Sequence, residues 1–148
     1  MTNLTADKPR RYFGERRVTS QPMAATDTHY NGAAVQEDGS GYVTNLTGAG
    51  TTFLGFAIER GDNAAGGNDD VRIQVAEEGV VELPVAIAAG AALTHIHDAV
   101  YATDSDVFTI VSTSAQQIGV IVEIPKASVG DTSALCKVFF QGIGRRSI

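Results

Sequence analysis

A chain of 148 residues, 43% hydrophobic and 19% charged, suffices for one domain with its own core. Its single cysteine, Cys136, excludes an intrachain disulfide and a thiolate zinc cluster, and no apolar run approaches the roughly 18 residues of a membrane-spanning helix. The net charge of −6 is uneven: residues 1–20 carry +3, the body 21–144 carries −11 and the last four residues add +2, so the body repels phosphate backbones.

Residues 1–22, "MTNLTADKPRRYFGERRVTSQP", lack the apolar centre of a secretory signal and read as an extended basic N-terminal arm. Within it "RRYFGERR" sets Tyr12 and Phe13 between the pairs Arg10, Arg11 and Arg16, Arg17. That order suits an extended strand pressed onto a foreign surface, with aromatics anchoring and guanidiniums meeting carboxylates. Residues 23–148 are expected to form a β-rich domain. Short runs of β-branched and aromatic residues follow one another: "YVTNL", "FLGFAIE", "VRIQVA", "VVELPVAI", "AVYAT", "VFTIVST", "IGVIVEI" and "CKVFF". Clusters of glycine, asparagine and aspartate separate them, which is an all-β pattern with turns. One short helical turn fits in "PVAIAAGAALTHI", before Gly90. Cys136 reads as a small, half-buried packing residue.

Self-similarity orders these runs. "LGFAIE" (54–59) and "IGVIVE" (118–123) share an aliphatic-Gly-apolar-apolar-aliphatic-Glu pattern, 64 residues apart. Each follows a strand-like run and a polar turn, and each precedes a loop of about a dozen residues and another strand. Upstream, "NGAAVQED" (31–38) aligns with "HDAVYATD" (97–104), which sets His97 opposite Asn31 and Asp98 opposite Gly32. The expected architecture is a compact β-sandwich or barrel-like domain built from two half-repeats, about 31–75 and 97–140, joined by "EEGVVELPVA".

Several segments offer chemistry on paper. "HIHDAVYATDSDVF" (95–108) places His95 and His97 two apart, on one face if they lie on a strand, as zinc ligands often do. The repeat argues for a backbone role instead, because the first copy holds turn residues there. "GDNAAGGNDD" supplies Asp62, Asn63, Asn68, Asp69 and Asp70 without the spacing of a calcium loop, so it reads as a solvated loop. "RGD" at 60–62 and the "NLT" triplets at Asn3 and Asn45 are short enough to arise by chance. No nucleophile elbow or phosphate-binding glycine loop occurs. The expectation is therefore no catalytic residue, no cofactor and no metal.

With the repeat in view, residues 31–142 resemble the capsid decoration, or cement, proteins of tailed bacteriophages, through "FLGFAIE", "GVVELPVA", "DAVYATDSDVFTI" and "QIGVIVEI" in that order. The resemblance implies a small β-rich protein, not an enzyme. Such a protein is made in the host cytoplasm, trimerises, and sits on the outer surface of the virion shell, which it reinforces. Its partners would be the major capsid protein and its own copies, with no nucleic acid and no membrane. Arg10, Arg11, Tyr12, Phe13, Arg16 and Arg17 would be the contact residues of the arm. Two alternatives stand beside it: another virion component, such as a head-fibre base or tail protein, and a metal-dependent enzyme using His95, His97 and Asp98.

Overall fold

The computed structural model describes residues 3–145; Arg146, counted above in the basic C-terminal end, lies outside them. Eleven strands follow in chain order: β1 (Tyr12–Pro22), β2 (Thr28–His29), β3 (Ala34–Glu37), β4 (Val43–Asn45), β5 (Phe53–Ala57) and β6 (Gly61–Asp62) come first. β7 (Arg72–Ala86), β8 (Ala99–Ala102), β9 (Phe108–Thr109), β10 (Gln116–Glu123) and β11 (Ser133–Gln141) complete the set. The all-β reading holds. Two single-turn 3-10 segments, Leu93–His95 and Lys126–Ser128, are the only helical elements among the described residues, and the first lies after Gly90 rather than before it.

The strands close two five-membered rings that share β7. In the first, the N-terminal half of β7 pairs with β1 and β5, β5 pairs with β3, and β3 with β4. A parallel bridge between Val43 and Met23, the residue after β1, completes it. In the second, the C-terminal half of β7 pairs with β11, then β10, β8 and β9, and β9 returns in parallel to β7 through Val85 and Phe108. The separate runs "VRIQVA" and "VVELPVAI" are thus one continuous 15-residue strand that ends one barrel and begins the next. Each barrel is one copy of the repeat.

Hydrogen bonds fix the correspondence. The Gly32 N–H donates to Ala57 O at 2.7 Å, and His97 N–H donates to Ile121 O at 2.7 Å. Gly55 and Gly119 occupy equivalent places: a Cβ there would lie 1.9 Å from Ala76 O and 2.0 Å from Phe139 O, so only glycine lets the neighbouring strand approach. The backbone register therefore puts His97 opposite Gly32, not Asn31, one residue away from the sequence alignment. Both residues take positive φ, +96° and +79°. Loop composition misled the alignment, because backbone conformation and not residue type is what repeats there.

Burial follows the same two-fold plan. Met23, Val35, Val43, Ala57, Ile73 and Val75 fill the first barrel. Val85, Val100, Phe108, Ile121, Cys136 and Val138 hold the corresponding places in the second. Cys136 is fully buried rather than half-buried. Between the barrels, Phe56 sits 5.0 Å from Phe140, 5.7 Å from Phe53 and 5.9 Å from Phe108, ring centre to ring centre, in tilted and edge-on contacts.

Candidate functional site

The arm does not leave the body. Residues 12–22 form β1, the first strand of the first barrel, and residues 3–10 lie as a strap across the turns of both barrels. Lys8 N–H donates to Asn31 O at 2.7 Å, and Asn31 N–H donates to Asp7 Oδ1 at 3.0 Å. At the second barrel, Leu4 N–H donates to Ser105 Oγ and Arg10 reaches Asp106 Oδ1 at 2.6 Å. The Arg10 side chain is 3% exposed, donates through Nε to Gly32 O, and lies over the Phe108 ring. Its charge is consumed within the chain, which compactness favours: a strap that bonds both barrels orders fewer residues than one reaching outward.

Tyr12 is likewise an internal anchor. Its ring packs 6.2 Å from Phe140, and the Arg16 guanidinium lies 4.7 Å from its centre. The phenol oxygen is buried without a hydrogen-bond partner, and burial, partly offset by Arg16 and Arg10, pushes its pKa up to about 12. Of the six arm residues, Arg11, Phe13, Arg16 and Arg17 remain at the surface. Arg11 and Lys137 both lie over the Phe13 ring, at 4.9 and 4.3 Å, and Arg17 pairs with Glu78 at 3.3 Å.

The histidine segment serves the backbone. His95 belongs to a 3-10 turn rather than a strand, and its Nδ1 accepts the Ala92 N–H at 3.0 Å. His97 occupies the left-handed position described above, and Asp98 is exposed. Asp104 Oδ1 accepts the Asp106 N–H at 2.9 Å, an Asx turn ahead of β9. The 62–70 loop spends its polar groups in the same way. Asn63 donates to Ala24 O and Gly67 O, Asp70 accepts the Gly67 N–H, and Asp69 pairs with Arg72. Gly61 of the "RGD" triplet is buried in β6 opposite His29, with Met23 and Ile73 against it. No group of three His, Cys, Asp or Glu side chains among the described residues is placed to hold a metal ion. Cys136, its thiol pushed up to about 11 by burial, sits in the second barrel as an inert packing group.

What sequence reading missed is the outer face of β7 and β11. Along β7 from Glu78 to Val85 and along β11, burial alternates strictly, so Val80, Glu82 and Pro84 face out beside Phe139, Lys137 and Leu135. The period-2 signal was present in "GVVELPVA" and "ALCKVFF". Their near-continuous apolar character hid it. Beside this face a shallow cleft is lined by Gln117, Gly119, Val120, Phe139 and Gln141. Among the described residues no helix is long and apolar enough to cross a membrane. Comparison with family models, with curated proteins and with solved structures finds no match to this chain.

Proposed function

We propose that this chain is a non-enzymatic structural component of a tailed-phage virion that coats the outer surface of the capsid, as a homotrimer, and stabilises the shell. The observation that carries the reading is the fused double barrel. The four segments that resemble decoration proteins fall on β5, β7, β8 with β9, and β10; β5 and β10 are corresponding strands of the two repeated units, and β7 joins the units. Its polar clusters, at 62–70 and 95–106, are spent on turns. A body of this kind offers rigid surface rather than a reaction centre.

Docking would rest on apolar contacts, since exposed ion pairs contribute only ~0.2–1 kcal/mol each. Repetition of modest contacts over a lattice raises occupancy through effective concentration. The outward arm residues Arg11, Arg16 and Arg17 supply the register-setting charge, and Phe13 an apolar contact. Removal of residues 1–20 is a poor test, because it deletes most of β1 and opens the first barrel. The sharper experiment replaces Arg11, Arg16 and Arg17 together by glutamate and measures occupancy on purified capsids. Occupancy is expected to fall by at least tenfold at limiting protein, with the melting temperature little changed. Undiminished occupancy removes these residues from the contact, and absence of any capsid binding by the unaltered protein overturns the reading itself.

A further inference from the structure

The outer face of β7, β11 and β10 is arranged in three rows that cross the strands, each row two residues from the next and so ~6.6 Å apart. The first is apolar, with Pro84 opposite Leu135, which is 46% exposed. The second is charged and alternates in sign. Arg11 O accepts the Glu82 N–H, Glu82 lies opposite Lys137, and Lys137 lies opposite and ion-paired with Glu123. The third is apolar again: Phe13, Val80, Phe139 and Val120 stand opposite one another on four successive strands. All four side chains of that row are partly exposed.

We propose that this face docks on the same face of a second copy of the chain across a two-fold axis. Three features of the face and its surroundings lead there. Charge is the first: the four members of the middle row cancel, as does the Arg17–Glu78 pair beside it, so the net −6 of the chain lies elsewhere. Two acidic molecules can meet here without the repulsion that opposes contact over the rest of the body. Symmetry is the second. A row that alternates in sign with an even number of members is its own complement when reversed, which brings Lys137 over Glu82 and Arg11 over Glu123 of the second copy. The same rotation, about an axis running along the strands, lays each apolar row reversed over its own copy, Phe13 over Val120, Val80 over Phe139 and Pro84 over Leu135, apolar on apolar, as an isologous contact requires.

The third feature is an open edge. In the second barrel, Tyr12 and Phe13 add to β7 at Val81 and Val80. The corresponding edge of β1, at Val18 and Thr19, has no strand added among the described residues, and Val18 is 38% exposed. The bulge at Gly14–Arg16 and the charges of Glu15, Arg16 and Arg17 guard that edge against indiscriminate pairing. They leave the flat face of the neighbouring rows as the surface open to a second copy. The face is small by the standard of stable dimers, so the contact is expected to be weak and dependent on concentration.

The inference concerns copies of this chain away from the shell: Arg11 and Phe13 lie in this face and also in the proposed shell contact, so the two-fold contact and docking on the shell compete for them. If trimers form through other surfaces, the two-fold contact joins them in pairs. The test is sedimentation equilibrium of the full chain, without capsids, over roughly micromolar to millimolar concentration. Expected are dimers, or six-chain assemblies if trimers also form, lost in Leu135→Glu and in Phe139→Glu. Leu135 is exposed enough that its replacement leaves the fold intact, as circular dichroism will check. Lys137→Glu is expected to weaken association at least tenfold, and adding Glu82→Lys to restore it. Monomers or lone trimers at every concentration overturn the proposal, as do even-numbered assemblies that survive Leu135→Glu. Because no capsid is present, its failure is distinguishable from failure of the shell-binding reading.

Discussion

Tyr12 shows how one side chain ties a charged segment into a core. Its hydroxyl is buried without a partner, so the ring contributes packing against Phe140 while the oxygen costs about 1–3 kcal/mol in lost hydration. Burial raises its folded pKa from 10.0 to about 12. A raised pKa means that the full contribution to stability is present below pH 10. Between pH 10 and pH 12 the unfolded chain releases this proton before the folded chain does, so stability falls, by of order 2 kcal/mol. Tyr12→Phe is therefore expected to gain about 1 kcal/mol at pH 8 and to lessen the fall between pH 10 and pH 12. Urea unfolding at pH 8 and pH 11 checks both, and a Tyr12→Phe protein less stable at pH 8 would assign the hydroxyl a hidden partner.

At the scale of elements, the turn before the second strand of each barrel takes the left-handed conformation twice, with different residues. In the first barrel the residue must be glycine: a Cβ on Gly32 would lie 1.9 Å from Lys8 O, because the strap passes directly over it. The strap crosses the second barrel at Ser105 and Asp106 instead, so His97 escapes that clash and bears only the backbone strain of φ +79°. His97→Gly is expected to stabilise the protein by roughly 0.5–1 kcal/mol, which is ~2–4 °C in melting temperature. Gly32→His is expected to cost about 2–3 kcal/mol by displacing the strap. Thermal melts of the two variants test the pair together. A large loss in His97→Gly would mean that the imidazole does something beyond occupying a turn.

The whole molecule is held together by sharing. β7 belongs to both barrels, and the Phe56 ring of the first barrel packs against Phe108 and Phe140 of the second as well as against Phe53. Neither barrel can lose its order without exposing these rings and breaking half of a common strand. Phe56→Ala, which removes the central ring, is expected to cost ~3–5 kcal/mol while leaving a single transition. Calorimetry decides it: calorimetric and van't Hoff enthalpies should agree in both proteins. Two resolved transitions would make the barrels independent and limit β7 to a tether.

The sequence by itself determined the strand content, the positions of most strands and the fact of duplication, because alternation, turn residues and the "LGFAIE"/"IGVIVE" pair are local signals. It also indicated that the polar clusters shape the backbone, since the repeat placed turn residues opposite His97 and Asp98. Tertiary structure alone decided three things. It fused two apparent strands into β7, because a strand passing from one barrel to the next has no turn to mark its continuity. It moved the repeat register by one residue at His97, because left-handed backbone and not side-chain type is what recurs. And it returned the arm to its own body. Composition shows that Arg10 is charged, but only the fold brings Asp106, Gly32 O and Phe108 to meet it, from positions 96, 22 and 98 residues away along the chain.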